Sequence, residues 1–178
     1  FFYPLLQQTF PQHLGRVAPD DFYAAINCVK PSFIRVEADE LTYNLHIMLR
    51  FEIEQDLIEG RTQPDDLPAI WNRKMHDYLG ITPTTDTEGV LQDVHWSFGA
   101  FGYFPTYTLG NLYAVQFFNQ AKLELPQLEA DMAAGHMLGL RRWLEQKIHR
   151  WGRMFTPDHL AQRVTGTSLS PEPFLTYV

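Results

Sequence analysis

The sequence predicts an all-α fold. Apolar residues recur at helical spacing along most of the chain, and residues that favour helix starts and stops flank these stretches. The one conspicuous exception is the segment 81–105, which is rich in Gly, Thr and Pro and is predicted to be irregular backbone or short strands. We therefore expect residues 1–178 to form a single, multi-helix region.

The N-terminal part of the chain predicts one short helix. Residues 1–6 resemble the middle of a helix or the link after one, so we expect the chain to begin inside a larger protein. Residues 20–28 follow as a short helix, because Asp20 and Asp21 suit the positive end of the helix dipole in the first turn.

Two further helices are predicted before the irregular segment. Apolar positions at roughly helical spacing indicate a long amphipathic helix over 37–59, with Gly60 as its stop and an Arg50–Glu54 pair one turn apart. The next helix is predicted over 66–79, since a Pro-Asp pair precedes it and a glycine follows it.

The second half of the chain predicts three helices and an extended tail. The helices are expected over 109–124, 128–151 and 157–164, and the Pro-rich tail over 168–178. The middle one is predicted as a single long helix although it contains Gly135 and Gly139. Thr156 with Pro157 directly after it is a strong signal for the start of the last helix.

The net charge argues against two classes of partner. The chain has 14 Lys and Arg against 21 Asp and Glu, a formal charge of -7. A nucleic-acid backbone or an anionic membrane surface favours a basic face, so we expect no nucleic acid and no membrane as partner. No stretch approaches the roughly 18 consecutive apolar residues of a membrane-spanning helix.

The single cysteine, Cys28, excludes an internal disulfide bond. A reducing, cytoplasmic compartment is therefore the expected location. Lys30 is the only nearby cation, and the surrounding stretch is apolar. We expect Cys28 to be a buried structural residue, because a reactive thiol usually has an electropositive setting.

The octet 89–96, Gly-Val-Leu-Gln-Asp-Val-His-Trp, concentrates hydrogen-bonding side chains. It places Gln92, Asp93, His95 and Trp96 within five positions, and two glycines and a proline follow. A surface that holds a polar ligand against an aromatic wall would use such residues.

Alternatives remain open within this octet. In an extended segment Asp93 and His95 share one face, which suits a metal pair or an imidazole oriented by an acid. Two ligands do not make a metal site, however. A partly buried structural role is at least as good an interpretation of His95, and Trp96 is more typical of a core.

Two further candidates lie outside the octet. Arg35 lies close in sequence to Glu37 and Asp39. It suits either bidentate binding of a ligand carboxylate or a structural ion pair on a surface turn, and spacing alone favours the ion pair. Tyr103 and Tyr107 flank a Phe-Pro-Thr stretch, so a phenol there either donates to a developing oxyanion or packs the loop to the core. No His-Glu-x-x-His, phosphate-binding loop or Gly-x-Ser-x-Gly motif occurs.

Two motifs resemble a known enzyme family. Residues 34–39 fit Ile-Arg-x-x-Ala-Asp, and residues 89–96 fit Gly-x-x-Gln-Asp-x-His-Trp, both signatures of the M32 metallocarboxypeptidases of the carboxypeptidase Taq type. The stretches 39–47, 102–111 and 156–175 are also similar, so the resemblance spans essentially the whole chain. It implies an almost wholly helical, zincin-like fold, frequent homodimers, and removal of amino acids from a peptide substrate with a free C-terminus.

The family's metal ligands are missing from this sequence. The resemblance implies a catalytic zinc (or cobalt) held by a His-Glu-x-x-His helix and by a downstream glutamate in a His-Glu-Ser/Thr-Gln motif. Both motifs belong upstream of residue 1. We therefore expect residues 1–178 to be the C-terminal fragment of a longer metallocarboxypeptidase, with no metal ligand of its own and inactive alone.

The resemblance also implies roles for individual residues. Arg35 would bind the C-terminal end of the peptide, and Gln92 and His95 would line the reaction centre. His95 would hydrogen-bond near the scissile carbonyl, and Tyr107 would stabilise the tetrahedral oxyanion or assist proton transfer.

Supporting roles fall to two carboxylates. Asp39 would orient Arg35, and Asp93 would hold the turn around His95. The alternative to this enzymatic interpretation is a catalytically silent helical module that binds peptides or interacts with another protein.

Overall fold

The computed structural model describes all 178 residues, and its regular elements are all helices, so the predicted all-α class is confirmed. The α-helices are α1 (Phe2–Thr9), α2 (Pro11–Leu14), α3 (Pro19–Ile26), α4 (Tyr43–Ile58), α5 (Leu67–Leu79), α6 (Pro105–Glu124), α7 (Leu128–Ala133), α8 (Leu138–Lys147), α9 (Pro157–Thr165) and α10 (Glu172–Tyr177). Short 3₁₀ turns occur at Arg35–Glu37, Pro64–Asp66, Trp96–Phe98 and His149–Trp151. The chain forms two compact units, residues 27–110 and residues 1–26 with 111–178.

The core of the unit 27–110 lies between α4 and α5. Its buried members are Leu49, Ile53, Trp71, Met75 and Leu79. Fully burying one large apolar side chain contributes about 1.5–3 kcal/mol relative to leaving it in water. The irregular segment packs on this core through side chains that include Val90 and Trp96, so the core also fixes the position of the octet.

Helix α4 begins later than predicted. The expected helix over 37–59 is Tyr43–Ile58, because Ala38 has extended backbone (φ -66°, ψ 143°) and separates α4 from the preceding 3₁₀ turn. Its stop is as predicted, since Gly60 has a positive φ of 71°.

The predicted Arg50–Glu54 pair on α4 is wrong. Both residues are buried and have other partners. Glu54 accepts hydrogen bonds from Trp96 Nε1 (2.9 Å) and from the backbone N–H of Gly102 (3.1 Å). A buried carboxylate with two such donors ties the irregular segment to the middle of α4.

The segment 81–105 contains no strand, only irregular backbone and one 3₁₀ turn. The irregular alternative of the prediction is therefore correct. Gly99 and Gly102 have φ values of 79° and 76°, a region that other residues rarely adopt. These two glycines let the chain reverse between His95 and the start of α6.

The other unit, residues 1–26 and 111–178, has its own core of Ala121, Leu128, Trp143 and Val164. The predicted continuous helix over 128–151 is wrong. Gly135, with a φ of 82°, interrupts it, and α7 and α8 form instead.

The C-terminal part contains one confirmed signal and one error. The Thr156 hydroxyl accepts a hydrogen bond from the backbone N–H of His159 at 3.4 Å and caps α9 as predicted. The tail is not extended, because it forms α10 and buries Phe174.

The exposure of the single cysteine differs from the sequence-based expectation. Cys28 is exposed, so its predicted burial is wrong. None of the helices combines the length and apolar character that crossing a bilayer requires.

Candidate functional site

The predicted site residues all lie in the unit 27–110, and a largely buried ion pair joins the two signature motifs. Arg35 Nη2 lies 2.7 Å from Asp93 Oδ1, and Arg35 Nε donates to Asp93 Oδ2 at 3.2 Å. The two residues are 58 positions apart in sequence. Paired, side-on contacts of this kind fix the orientation of a guanidinium as well as its position.

A second arginine binds the same carboxylate. Arg50 Nε donates to Asp93 Oδ2 at 2.8 Å, and Arg50 Nη1 donates to the backbone carbonyl of His46 at 2.7 Å. Arg50 Nη2 also lies 2.7 Å from Asp93 Oδ2, at an angle that does not make a hydrogen bond. The Arg50 guanidinium carbon lies 4.5 Å from the centre of the Trp71 ring, which adds a cation–π contact.

Burial and charge act in opposite directions on these groups. Burial by itself would raise the pKa of Asp93, but the hydrogen bonds and charges of Arg35 and Arg50 outweigh it and lower that pKa. Burial would lower the pKa of Arg35, yet Asp93 and Tyr43 raise it. Burial, aided by the charge of Arg35, lowers the pKa of Arg50 to about 10. All three groups therefore stay charged at neutral pH.

His46 lies beside this ion-paired group without joining it. It is fully buried, and neither ring nitrogen has a hydrogen-bond partner. Burial, followed by the charges of Arg50 and Arg35, lowers the pKa of His46 to about 4. The imidazole is neutral at pH 7 and adds no third positive charge.

His95 and Tyr107 form a hydrogen-bonded pair. His95 Nε2 lies 3.1 Å from the Tyr107 hydroxyl, and the imidazole tautomer decides which atom donates. The ring of His95 packs on Phe104, with ring centres 4.4 Å apart. His95 Nδ1 lies 3.9 Å from Asp93 Oδ1, too far for a hydrogen bond.

Tyr107 connects this pair to Arg35. It lies in the first turn of α6, which Pro105 begins. The Arg35 guanidinium carbon is 4.8 Å from the centre of the Tyr107 ring. Burial raises the pKa of Tyr107 and outweighs the opposing charge of Arg35, so the phenol keeps its proton at neutral pH.

Gln92 links the two motif segments. Its Oε1 accepts from the backbone N–H of Arg35 at 2.8 Å, and its Nε2 donates to the carbonyls of Phe33 and Glu88, both at 2.9 Å. An amide engaged at both ends acts as a brace for the loop that carries Arg35. A direct substrate contact by Gln92 stays a prediction.

Asp39 has partners other than Arg35. Its carboxylate accepts from the backbone N–H and hydroxyl of Thr42 at 2.9 and 2.8 Å, and from the backbone N–H of Lys30 at 3.0 Å. Burial would raise the pKa of Asp39, but these hydrogen bonds lower it. Asp39 thus shapes the turn before α4, whereas Asp93 orients the Arg35 guanidinium.

Sequence reasoning missed two members of the site. Tyr43 accepts a hydrogen bond from Arg35 Nη1 at 2.8 Å, and Arg50 shares Asp93 with Arg35. A signal for Arg50 was present, because it lies on the apolar stretch of α4 beside Leu49. For Tyr43 no local pattern distinguishes it from a packing residue.

The residues present do not fit a metal ion. No group of three or more His, Cys, Asp or Glu side chains is arranged to hold one. The Asp93 carboxylate is occupied by two guanidinium groups, and His95 Nε2 is paired with Tyr107. What these residues offer is a fixed cation and a phenol–imidazole pair.

Replacing Asp93 tests the electrostatic account. Asp93→Asn leaves two buried guanidiniums without a counter-charge, so it should lower the free energy of unfolding by about 3–5 kcal/mol at pH 7. The exposed ion pair of Asp56 and Arg61 gives the matched control, and Asp56→Asn should cost at most about 1 kcal/mol. Urea denaturation of the 178-residue chain measures both values.

The pH dependence of this difference has a defined sign. The folded pKa of Asp93 is lowered, so its ionised form stabilises the fold above the unfolded pKa, about 3.9. That contribution is lost as the pH falls through the folded pKa, and the Asp93→Asn deficit should shrink there. Equal deficits for Asp93→Asn and Asp56→Asn at pH 7 would contradict the account.

Curated relatives of this chain are carboxypeptidases. It is 50% identical over 177 residues to thermostable carboxypeptidase 1 of Thermus thermophilus, covering 99% of this chain and 34% of the relative. It is 45% identical over 177 residues to carboxypeptidase 1 of Bacillus subtilis, covering 99% of this chain and 35% of the relative. The chain therefore spans about a third of the length of the curated relatives that it matches.

Solved structures agree with these relatives. An M32 carboxypeptidase from Deinococcus radiodurans superposes with a TM-score of 0.93 at 41% identity, covering 99% of this chain and 36% of that one. A Pyrococcus furiosus carboxypeptidase superposes with a TM-score of 0.94 at 40% identity, covering 98% and 35%. The profile of the carboxypeptidase Taq (M32) metallopeptidases matches residues 1–178. This chain belongs to the carboxypeptidase Taq (M32) metallopeptidase family.

Proposed function

We propose that the whole protein containing this chain is a metal-dependent carboxypeptidase that releases amino acids from peptide C-termini. The observation that carries the proposal is the His95–Tyr107 pair, whose hydrogen bond lies beside the buried Arg35 guanidinium. Membership in the M32 family supports it. This chain would supply the groups that bind the peptide end and stabilise charge at its scissile bond.

Arg35 is proposed to bind the free carboxylate of the peptide. A guanidinium presents five N–H donors in a planar fork that matches a carboxylate. In this structure Asp93 takes the Nε side, and Tyr43 takes one N–H of Nη1. The second N–H on each of Nη1 and Nη2 has no partner, and these two are the donors that we assign to the substrate.

His95 and Tyr107 are proposed to act at the scissile carbonyl. A phenol that keeps its proton donates to the negative charge that develops on the carbonyl oxygen. The imidazole of His95 holds the phenol oxygen at 3.1 Å, and packing on Phe104 fixes the plane of the ring. Gln92 and Asp93 are proposed to support this arrangement by holding the loops that carry Arg35 and His95.

The metal, the assembly and the location are proposals that rest on the resemblance and the composition. We assign zinc or cobalt to ligands in the part of the relatives that this chain does not cover, since the residues present do not form a metal site. We propose a homodimer because homodimers are frequent in the family that the sequence resembles. We also propose a cytoplasmic location, which the single cysteine supports because it allows no disulfide bond within this chain.

An assay of the whole protein tests the proposed function. A blocked dipeptide with a free C-terminus should be cleaved, and its C-terminal amide should not. A chelator should abolish cleavage and added zinc or cobalt should restore it, because the metal is required. Absence of amino-acid release with any metal would contradict the proposal and favour the alternative of a catalytically silent peptide-binding module.

Removing the Tyr107 hydroxyl tests its role. In the whole protein Tyr107→Phe should lower kcat by about 100- to 1000-fold with little change in KM, because one donor to the oxyanion is lost. Steady-state kinetics on the blocked dipeptide measures both constants, with Tyr113→Phe, on the same helix, as the control. An unchanged kcat would contradict this role and indicate that Tyr107 only packs the loop against the core.

A further inference from the structure

We propose that Tyr43 is a second donor to the C-terminal carboxylate of the substrate, beside Arg35. The inference rests on the proposed carboxypeptidase function and adds a residue to its substrate-binding group. It depends on whether the hydroxyl proton of Tyr43 has a hydrogen-bond acceptor, and on which N–H groups of Arg35 have no partner.

The Tyr43 hydroxyl oxygen already accepts a hydrogen bond. Arg35 Nη1 donates to it at 2.8 Å. A tyrosine hydroxyl carries one proton of its own, and in this structure that proton has no acceptor. A half-buried donor without an acceptor is suited to an incoming anion.

The geometry of Arg35 directs an anion toward Tyr43. Asp93 occupies the side of the guanidinium formed by Nε and Nη2, while Nη1 faces the Tyr43 hydroxyl. A carboxylate that approaches the open N–H of Nη1 therefore arrives next to the Tyr43 hydroxyl. One carboxylate oxygen can then accept from Arg35 and the other from Tyr43.

Tyr43 is more accessible to solvent than Arg35. Arg35 is only 5% exposed, whereas Tyr43 is half-buried. The hydrogen bond from a charged guanidinium also polarises the phenol, which makes its O–H a better donor. A peptide carboxylate that enters from solvent would meet the phenol and the guanidinium together.

A purely structural role for Tyr43 can be separated from this one. Its ring packs edge-on against Tyr107, with centres 6.5 Å apart, and lies 5.8 Å from the guanidinium carbon of Arg35. Phenylalanine keeps both ring contacts and removes only the hydroxyl. Tyr43→Phe is therefore the appropriate variant, and an unchanged thermal midpoint would confirm that it folds.

The experiment uses the whole protein and two probes. In Tyr43→Phe, KM for the blocked dipeptide should rise about 10-fold or more, with kcat changed by less than about 2-fold, because a hydrogen bond to a charged group is lost. A blocked amino acid with a free carboxylate should bind more weakly by the same factor. Its C-terminal amide should bind equally to variant and wild type.

Tyr78→Phe is the matched control. Its phenol also lies in the unit 27–110, where it hydrogen-bonds Glu52 outside the site. KM and probe binding should stay within about 2-fold of the wild type.

The other outcomes separate failure of this inference from failure of the proposed function. Unchanged binding of the carboxylate probe to Tyr43→Phe, or equal weakening of the acid and the amide, would assign Tyr43 a structural role. Wild-type protein that binds the carboxylate probe without cleaving any dipeptide would contradict the proposed catalytic function, and the Tyr43→Phe comparison by calorimetry would still decide the binding role. Wild-type protein that does not bind the carboxylate probe would overturn both.

Discussion

One largely buried carboxylate, that of Asp93, holds two guanidinium groups at once. Removing a charge from water costs several kcal/mol, so a buried ion pair persists only when its geometry compensates for that cost. Here both oxygens of Asp93 are used, Arg35 binding from one side and Arg50 from the other. Arg50 in turn lies against Trp71, which belongs to the core between α4 and α5. Arg35 is therefore fixed relative to the core through a chain of charged contacts.

The same logic explains how irregular backbone can carry a precise site. Glu54 holds the end of the octet and the segment after it by accepting from Trp96 Nε1 and the Gly102 N–H, and Gln92 braces the loop of Arg35. Hydrogen bonds made by Glu54 on α4 and by Gln92 within the segment thus replace the ladder of hydrogen bonds that a strand would provide. His95, which lies between these anchors, is positioned by its neighbours.

Whether a feature of the fold or of the candidate site could be predicted from the sequence depended on how far apart in sequence the interacting residues lie. Helix class and the stops at Gly60 and Gly80 are local, and the chain indicated them, whereas the break at Gly135 was missed. The Asp93–Arg35 pair bridges 58 positions, and spacing alone favoured a local partner such as Asp39 instead. The prediction for Arg50 failed for the same reason. An i,i+4 pair with Glu54 is the simplest local pattern, but each of the two buried residues binds a partner that is distant in sequence. The family motifs indicated the candidate site residues, but not which of them contact one another.

The most direct test of this account is the pKa of the Asp93 carboxyl in the folded protein. A ¹³C NMR titration of the side-chain carboxyl carbon, assigned by its absence in a variant lacking Asp93, measures it. The account predicts a pKa below the ordinary aspartate value of about 3.9, because the two guanidiniums outweigh the effect of burial. A pKa at or above that value would show that the guanidiniums do not share this carboxylate, and would contradict the account.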